Sequence, residues 1–131
     1  RSRIDGVPKI LPSIISAQRI QEKASTAGFD WSSLDQVWGK LEEELLEVKT
    51  AQKKNDYNKI EEELGDLLFS VINLCRFFNV SGENALRKAN KKFKKRFHLL
   101  ESYVSKSGME IENFSINELN EIWDSIKKEK G

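Results

Sequence analysis

Apolar residues recur every three or four positions along most of the chain, a spacing that places them on one face of an α-helix. Apolar and polar residues do not alternate one by one along any segment, so the sequence predicts no β-strand. Both prolines, Pro8 and Pro12, lie at the start, and none follows. The pattern therefore predicts a lead-in or linker over residues 1–12 and a single all-α domain over residues 13–131, a compact bundle of about five helices.

The predicted helices are separated by glycine or by short polar segments, which commonly end helices. The breaks are Gly28, the polar turn 53–58, the segment 79–82 and Gly108. The first helix is expected from about Ser13 to Ala27. Two later helices begin with the spacing of a capping box, Ser33 with Gln36 and Ser115 with Glu118.

The third predicted helix is apolar over more of its circumference than one packed face requires. Beyond its main stripe it carries Leu68, Phe69, Ile72 and Phe77. A protomer of this size would leave part of that surface in water, so we expect a homodimer or a dimer of dimers.

Four acidic residues occupy matching places beside the apolar stripes of the second and third helices. At about 100° per residue, Glu44 and Glu47 lie on one flank of the second stripe, and Glu63 and Asp66 on the same flank of the third. If the two helices form an antiparallel hairpin, position 44 is level with 66 and position 47 with 63. The sequence thus predicts that the four carboxylates converge beside the seam of the hairpin.

Carboxylates held so close repel one another, and a divalent cation relieves that repulsion. Two Mg²⁺ ions balance four negative charges, and paired ions are common at sites of displacement at phosphorus. The alternative is that these residues are solvated helix surface, as most glutamate runs are.

The fourth predicted helix offers groups suited to phosphate. Lys92 and Arg96 share one edge of its stripe, and Asn90 lies within the stripe. Lysine and arginine at such an edge can neutralise phosphate oxygens. Nucleic-acid binding is the competing interpretation, but the chain's net charge is +1 and exposed aromatic residues do not alternate with the basic ones.

Composition excludes several classes of protein. The chain has 131 residues, 33% charged, with one cysteine, Cys75, so an intramolecular disulfide or a cysteine-based zinc site is excluded. No uncharged run approaches the length of a membrane span, and no signal peptide opens the sequence. We expect a cytoplasmic protein without membrane contact. Residue 1 is Arg rather than Met, which suggests a piece of a longer chain, with a stand-alone protein as the alternative.

Five segments, in order, resemble the MazG-type nucleoside triphosphate pyrophosphohydrolases. They are LPSIISAQRIQEKASTAGFDW, KLEEELLEV, NKIEEELGDLLFSVINLCRF, ALRKANKKFKKRF and ELNEIW. The second contains a Glu-Glu-x-x-Glu element beginning at Glu43, and the third a Glu-x-x-Asp element beginning at Glu63. The chain resembles in particular the C-terminal domain of two-domain members of the family.

The resemblance implies Mg²⁺, with Mn²⁺ as a substitute, held by Glu44, Glu47, Glu63 and Asp66. It implies that water attacks the α-phosphorus of a nucleoside triphosphate (NTP or dNTP) and that the monophosphate and pyrophosphate are released, for nucleotide-pool cleansing or regulation. The positions expected near the substrate are Lys40, Lys59, Glu62, Asn90, Lys92, Arg96 and Trp123.

Two questions stay open at this level. Glu43 is a candidate for polarising the attacking water, but it points away from its stripe and is equally well interpreted as a surface acid. The alternative to an enzyme is a non-catalytic helical module that binds nucleotide or a protein partner. Neither composition nor spacing names the preferred nucleoside.

Overall fold

The computed structural model describes residues 2–130 and is all-helical over that range. Arg1 and Gly131, the outer ends of the two predicted ranges, lie outside the described residues. The helices are α1 (Ser13–Thr26), α2 (Leu34–Lys53), α3 (Tyr57–Phe77), α4 (Gly82–Lys106) and α5 (Ile116–Lys130), with a 3₁₀ turn at Ile111–Asn113 before α5. No strand occurs in this part of the chain, so the all-α prediction is confirmed.

The helix starts follow the local chemistry of the sequence. The Ser115 hydroxyl accepts a hydrogen bond from the Glu118 backbone N–H (3.1 Å), and the Glu118 carboxylate accepts one from the Ser115 N–H (2.8 Å). This is the predicted capping box. At α2, Ser33 accepts from the Gln36 N–H (3.3 Å), but the Gln36 side chain accepts from the Ser32 N–H (2.8 Å), one residue earlier than the pattern implies.

The connections between helices use left-handed backbone at the predicted breaks. Gly28 (φ 101°) follows α1 and Gly108 (φ 78°) follows α4, and glycine reaches this region without a steric penalty. The turn between α2 and α3 is shorter than the predicted 53–58 and spans only residues 54–56. Its Asp56 carboxylate accepts a hydrogen bond from the Lys59 N–H (3.2 Å), so α3 begins already at Tyr57.

The chain divides into two compact units between Ala85 and Leu86. In the first unit, α2 packs against α3 as a helical hairpin, and α1 also packs against α3. Its buried apolar residues are Val37, Ala51 and Ile72. In the second unit, the buried apolar residues are Leu100, Val104 and Ile126. The single-domain organisation stays a prediction.

Two glutamines of α1 hold the first unit together. The Gln18 side chain donates to the Val80 carbonyl (3.0 Å) and accepts from the Gly82 N–H (2.8 Å), which fixes the connection that leads into α4. A Cβ at Gly82 would lie 2.9 Å from Ile72 Cδ1 and 3.3 Å from Gln18 Oε1, so this close approach favours glycine. The buried Gln21 side chain donates to the Phe69 carbonyl on α3 (2.9 Å).

Part of the apolar surface of α3 stays uncovered in the protomer. Leu68 and Phe69 are 65% and 46% exposed. Ile72, also expected on the uncovered surface, is instead buried because its side chain lies against Gly82, and Phe77 is half-buried.

No single helix among the described residues is long and apolar enough to cross a membrane. The bent pair of α3 and α4 together meets the requirements for a membrane span in length and composition, and in nothing else.

Candidate metal centre

Acidic side chains from α2 and α3 converge in the hairpin, in the arrangement that helical periodicity predicts. Carboxylate oxygens of Glu44, Glu63 and Asp66 lie within 4.8 Å of one another, and so do those of Glu43, Glu44 and Glu47. Glu44 and Glu63 are buried, Glu47 is half-buried and Asp66 is exposed. All four predicted ligands therefore belong to one cluster, and their role as ligands stays a prediction.

The short turn between α2 and α3 explains the convergence. Three residues reverse the chain, so the two helices run antiparallel and residues at equal distance from the turn come level with each other. Residues three positions apart lie on one face of a helix. Glu44 and Glu47 on α2 therefore face Asp66 and Glu63 on α3.

The two central carboxylates each have one oxygen without a partner. Glu44 Oε2 and Glu63 Oε2 are buried, and no lysine, backbone N–H or hydroxyl donates a hydrogen bond to either oxygen. Burying an unpaired carboxylate oxygen costs free energy, and a bound cation removes that cost. Because the ligand set is entirely carboxylate oxygen, it fits a hard divalent cation such as Mg²⁺ or Mn²⁺ rather than a soft metal.

Two glutamates of the cluster, Glu47 and Glu63, have pKa values shifted in opposite directions. A hydrogen bond to Glu63, together with burial and the neighbouring charge of Glu44, raises the pKa of Glu47 to about 7. The same bond, and the ammonium group of Lys59, lower the pKa of Glu63. Both shifts follow from acidic side chains held close together, the condition that a bound cation relieves.

Two lysines pair with the cluster, one on each helix. Lys40 Nζ lies 2.9 Å from Glu44 Oε1 and 3.5 Å from Glu43. Lys59 Nζ lies 3.2 Å from Glu63 Oε1 and 3.4 Å from Glu62. Each pairing raises the pKa of its lysine, chiefly through the hydrogen bond to Glu44 or to Glu63. The outer acids, Glu43 and Glu62, have side chains 56% and 62% exposed.

The matched ion pairs reflect a short repeat that periodicity alone does not reveal. Residues 40–47 read KLEEELLE and residues 59–66 read KIEEELGD. The repeat aligns Lys40 with Lys59, and each lysine precedes its buried glutamate by four positions. It also aligns the catalytic candidate Glu43 with Glu62. Comparing the two segments residue by residue would have predicted both ion pairs.

The remaining predicted substrate residues belong to the second unit. On α4, Asn90 and Lys92 are exposed and Arg96 is half-buried. Trp123 on α5 is half-buried, with its ring centroid 5.2 Å from that of Phe93. This contact explains part of the burial of Trp123 by packing. The roles of these four residues toward a nucleotide stay predictions.

Comparison with known proteins agrees with the resemblance seen in the sequence. Residues 33–99 match the family model of the MazG nucleotide pyrophosphohydrolase domain. The nucleoside triphosphate pyrophosphohydrolase/pyrophosphatase MazG of Thermotoga maritima is 47% identical over 96% of this chain and 48% of its own length. The nucleoside triphosphate pyrophosphohydrolase of Escherichia coli K12 is 39% identical over 98% of this chain and 50% of its own. An uncharacterized protein of Bacillus subtilis is 33% identical over 97% of this chain.

The similarity extends over nearly the whole of this chain but over only part of each relative. The chain spans about half the length of the two relatives named as pyrophosphohydrolases. The family model covers α2, α3 and most of α4, so it includes the whole acidic cluster. On this basis the chain belongs to the MazG nucleotide pyrophosphohydrolase domain family.

Proposed function

We propose that this chain hydrolyses nucleoside triphosphates to the monophosphate and pyrophosphate, with divalent cations held by Glu44, Glu47, Glu63 and Asp66. The observation that carries the proposal is the pair of buried, unpartnered carboxylate oxygens on Glu44 and Glu63 at the centre of the acidic cluster. The names of the two relatives support the reaction. Nucleotide-pool cleansing or regulation is the role we propose for it.

The cluster supplies the ligands and the electrostatic setting for this reaction. Bound Mg²⁺ would offset charge on the phosphate oxygens and make a water molecule more acidic. Glu44 and Glu63 are anchored in the hairpin, so their positions are set before substrate arrives. Glu43 lies at the exposed edge of the cluster, and we assign it to accept a proton from the attacking water.

Phosphate groups on the substrate require positive charge near the acidic cluster. Lys40 and Lys59 are proposed to supply it, since each forms an ion pair with a buried glutamate of the cluster and has a partly exposed side chain. Asn90, Lys92 and Arg96 on α4 are proposed to bind further phosphate oxygens, and Trp123 to contact the nucleotide.

The first test is the identity of the products. Purified chain incubated with a panel of standard, deoxy and damaged nucleoside triphosphates and Mg²⁺ is expected to release nucleoside monophosphate and pyrophosphate in equal amounts. Chromatography separates these from the products of cleavage at the terminal phosphate. Nucleoside diphosphate and orthophosphate as the primary products would contradict the assignment, and binding without turnover would favour a non-catalytic module.

The second test is the oligomeric state, for which we propose a homodimer formed through the exposed apolar surface of α3. Light scattering at micromolar concentration is expected to give at least twice the protomer mass of 15.1 kDa. Leu68→Glu is expected to shift the mass to that of the protomer, because Leu68 is 65% exposed and a charge there opposes burial.

Met109→Glu is the matched control for this test. Met109 is also exposed (48%) but lies in the connection before α5, away from α3 in sequence. It should leave the mass unchanged. A monomeric wild type would refute the dimer, and a Leu68→Glu variant of unchanged mass would refute the role of this surface.

A further inference from the structure

We propose that Lys40 and Lys59 are positioning residues for the metal site: each holds one oxygen of a buried glutamate and so presents the other oxygen to the cation. The inference rests on the proposed function and extends it, because it assigns the two lysines a role that precedes substrate binding.

The two carboxylate oxygens of each buried glutamate differ in their contacts. Lys40 contacts Oε1 of Glu44 at 2.9 Å, and Oε2 of the same residue is buried without a partner. Lys59 contacts Oε1 of Glu63 at 3.2 Å, and Oε2 of Glu63 is likewise buried without a partner. The same asymmetry thus occurs twice, at equivalent positions of the repeated segments 40–47 and 59–66.

The geometry of the hairpin places the two lysines at opposite ends of the cluster. Each lysine lies four residues, about one helical turn, before its glutamate. Because α2 and α3 run antiparallel, the two helices begin at opposite ends of the hairpin. Each lysine lies toward the start of its own helix, so the two lysines are displaced from the glutamates in opposite directions. The two ammonium groups therefore approach the acidic centre between Glu44 and Glu63 from opposite ends.

A free glutamate side chain samples several rotamers, and ordering it on metal binding costs free energy. An ion pair to Oε1 orders the carboxylate before the cation binds. Side chains that contact metal ligands in this way commonly raise the affinity of a site for its metal. The opposing effect is electrostatic, since a lysine charge repels a cation nearby. The two effects change metal affinity in opposite directions, so removing the lysine distinguishes them.

The experiment measures Mn²⁺ binding to the full chain by calorimetry, without nucleotide. Lys40→Met and Lys59→Met keep most of the apolar length of the side chain but lose its charge and its donors. We expect each to bind Mn²⁺ about ten- to a hundredfold more weakly than the wild type. Lys40→Arg and Lys59→Arg keep charge and donors, and they should recover most of the affinity. Lys49→Met, an exposed lysine on α2, is the matched control and should bind like the wild type.

The outcomes separate this inference from the proposed function. Equal or tighter Mn²⁺ binding by both Met variants would overturn the positioning role, whether or not the enzyme turns over. Loss of nucleotide affinity alone, with unchanged Mn²⁺ binding, would also overturn it and assign the lysines to phosphate. A wild type that binds no Mn²⁺ would refute the proposed metal site and this inference together. A wild type that binds Mn²⁺ and depends on both lysines, yet cleaves no nucleotide, would refute only the proposed function.

Discussion

Asp66→Asn is expected to reduce nucleotide hydrolysis by at least about a hundredfold, because it replaces a charged ligand of the proposed cation by a neutral amide. The apo fold should survive. Asp66 is exposed and its carboxylate lies within 4.8 Å of those of Glu44 and Glu63, so neutralising it relieves repulsion. The free energy of unfolding without metal should stay equal or rise by up to about 0.5 kcal/mol.

The response to Mg²⁺ separates loss of the site from general damage. A ligand raises the melting temperature of the state that binds it. Added Mg²⁺ should therefore raise the melting temperature of the wild type more than that of Asp66→Asn. Glu61→Gln is the control, since Glu61 is an exposed acid on the same helix. Near-normal turnover of Asp66→Asn, together with an unchanged Mg²⁺-dependent shift, would defeat the proposed site.

Arg76→Met is expected to lower the free energy of unfolding by about 2 kcal/mol, because it breaks a charge-assisted contact between distant segments. Arg76, near the end of α3, donates two hydrogen bonds to the Asp30 carboxylate, at 2.6 and 3.0 Å. Asp30 also accepts from the Ser25 hydroxyl at 2.7 Å. Removing the guanidinium leaves this partly buried carboxylate without its counter-charge.

The pH dependence of this contact has a defined sign. The hydrogen bond from Arg76, more than any other interaction, lowers the pKa of Asp30 from 3.8 to about 2. A carboxyl with a lowered folded-state pKa contributes stability that is complete above its unfolded pKa and is lost as the pH falls through the folded value. The difference in unfolding free energy between the wild type and Asp30→Asn should therefore be about 1 to 2 kcal/mol near neutral pH and should shrink between pH 3.8 and 2.

Urea titrations followed by circular dichroism check both results. Arg19→Met is the matched control for Arg76→Met, because Arg19 is exposed on α1. It should change the unfolding free energy by less than about 0.5 kcal/mol. A loss in Arg76→Met no larger than in this control would show that the contact does not stabilise the fold. A difference for Asp30→Asn that stays constant down to pH 2 would contradict the sign.

The acidic cluster could be predicted from two local rules, the periodicity of a helix and the reversal of the chain at a short turn. A helix repeats every 3.6 residues, so the faces occupied by Glu44 and Glu63 follow from sequence position alone. A short connection between two helices requires them to run antiparallel, so the level of each residue follows as well. The convergence of four carboxylates from two helices was therefore predictable, although they lie far apart along the chain.

The same rules did not determine which stripe residues are covered. Val37 and Trp38 both belong to the apolar stripe of α2, yet Val37 is 1% exposed and Trp38 42% exposed in the protomer. Ile72 is buried because a glycine, Gly82, lets the start of α4 approach it. Periodicity tells which way a side chain points from its own helix, but burial depends on what packs there.

The sequence by itself determined the helices, their breaks, the capping box at Ser115 and the acidic cluster, because each depends on neighbours within a few turns or on one short reversal. Only the tertiary structure decided the contact between Asp30 and Arg76, 46 positions apart in the chain, and the unpartnered oxygen on each buried glutamate. These depend on the docking of separate segments and on individual side-chain rotamers, about which helical periodicity carries no information.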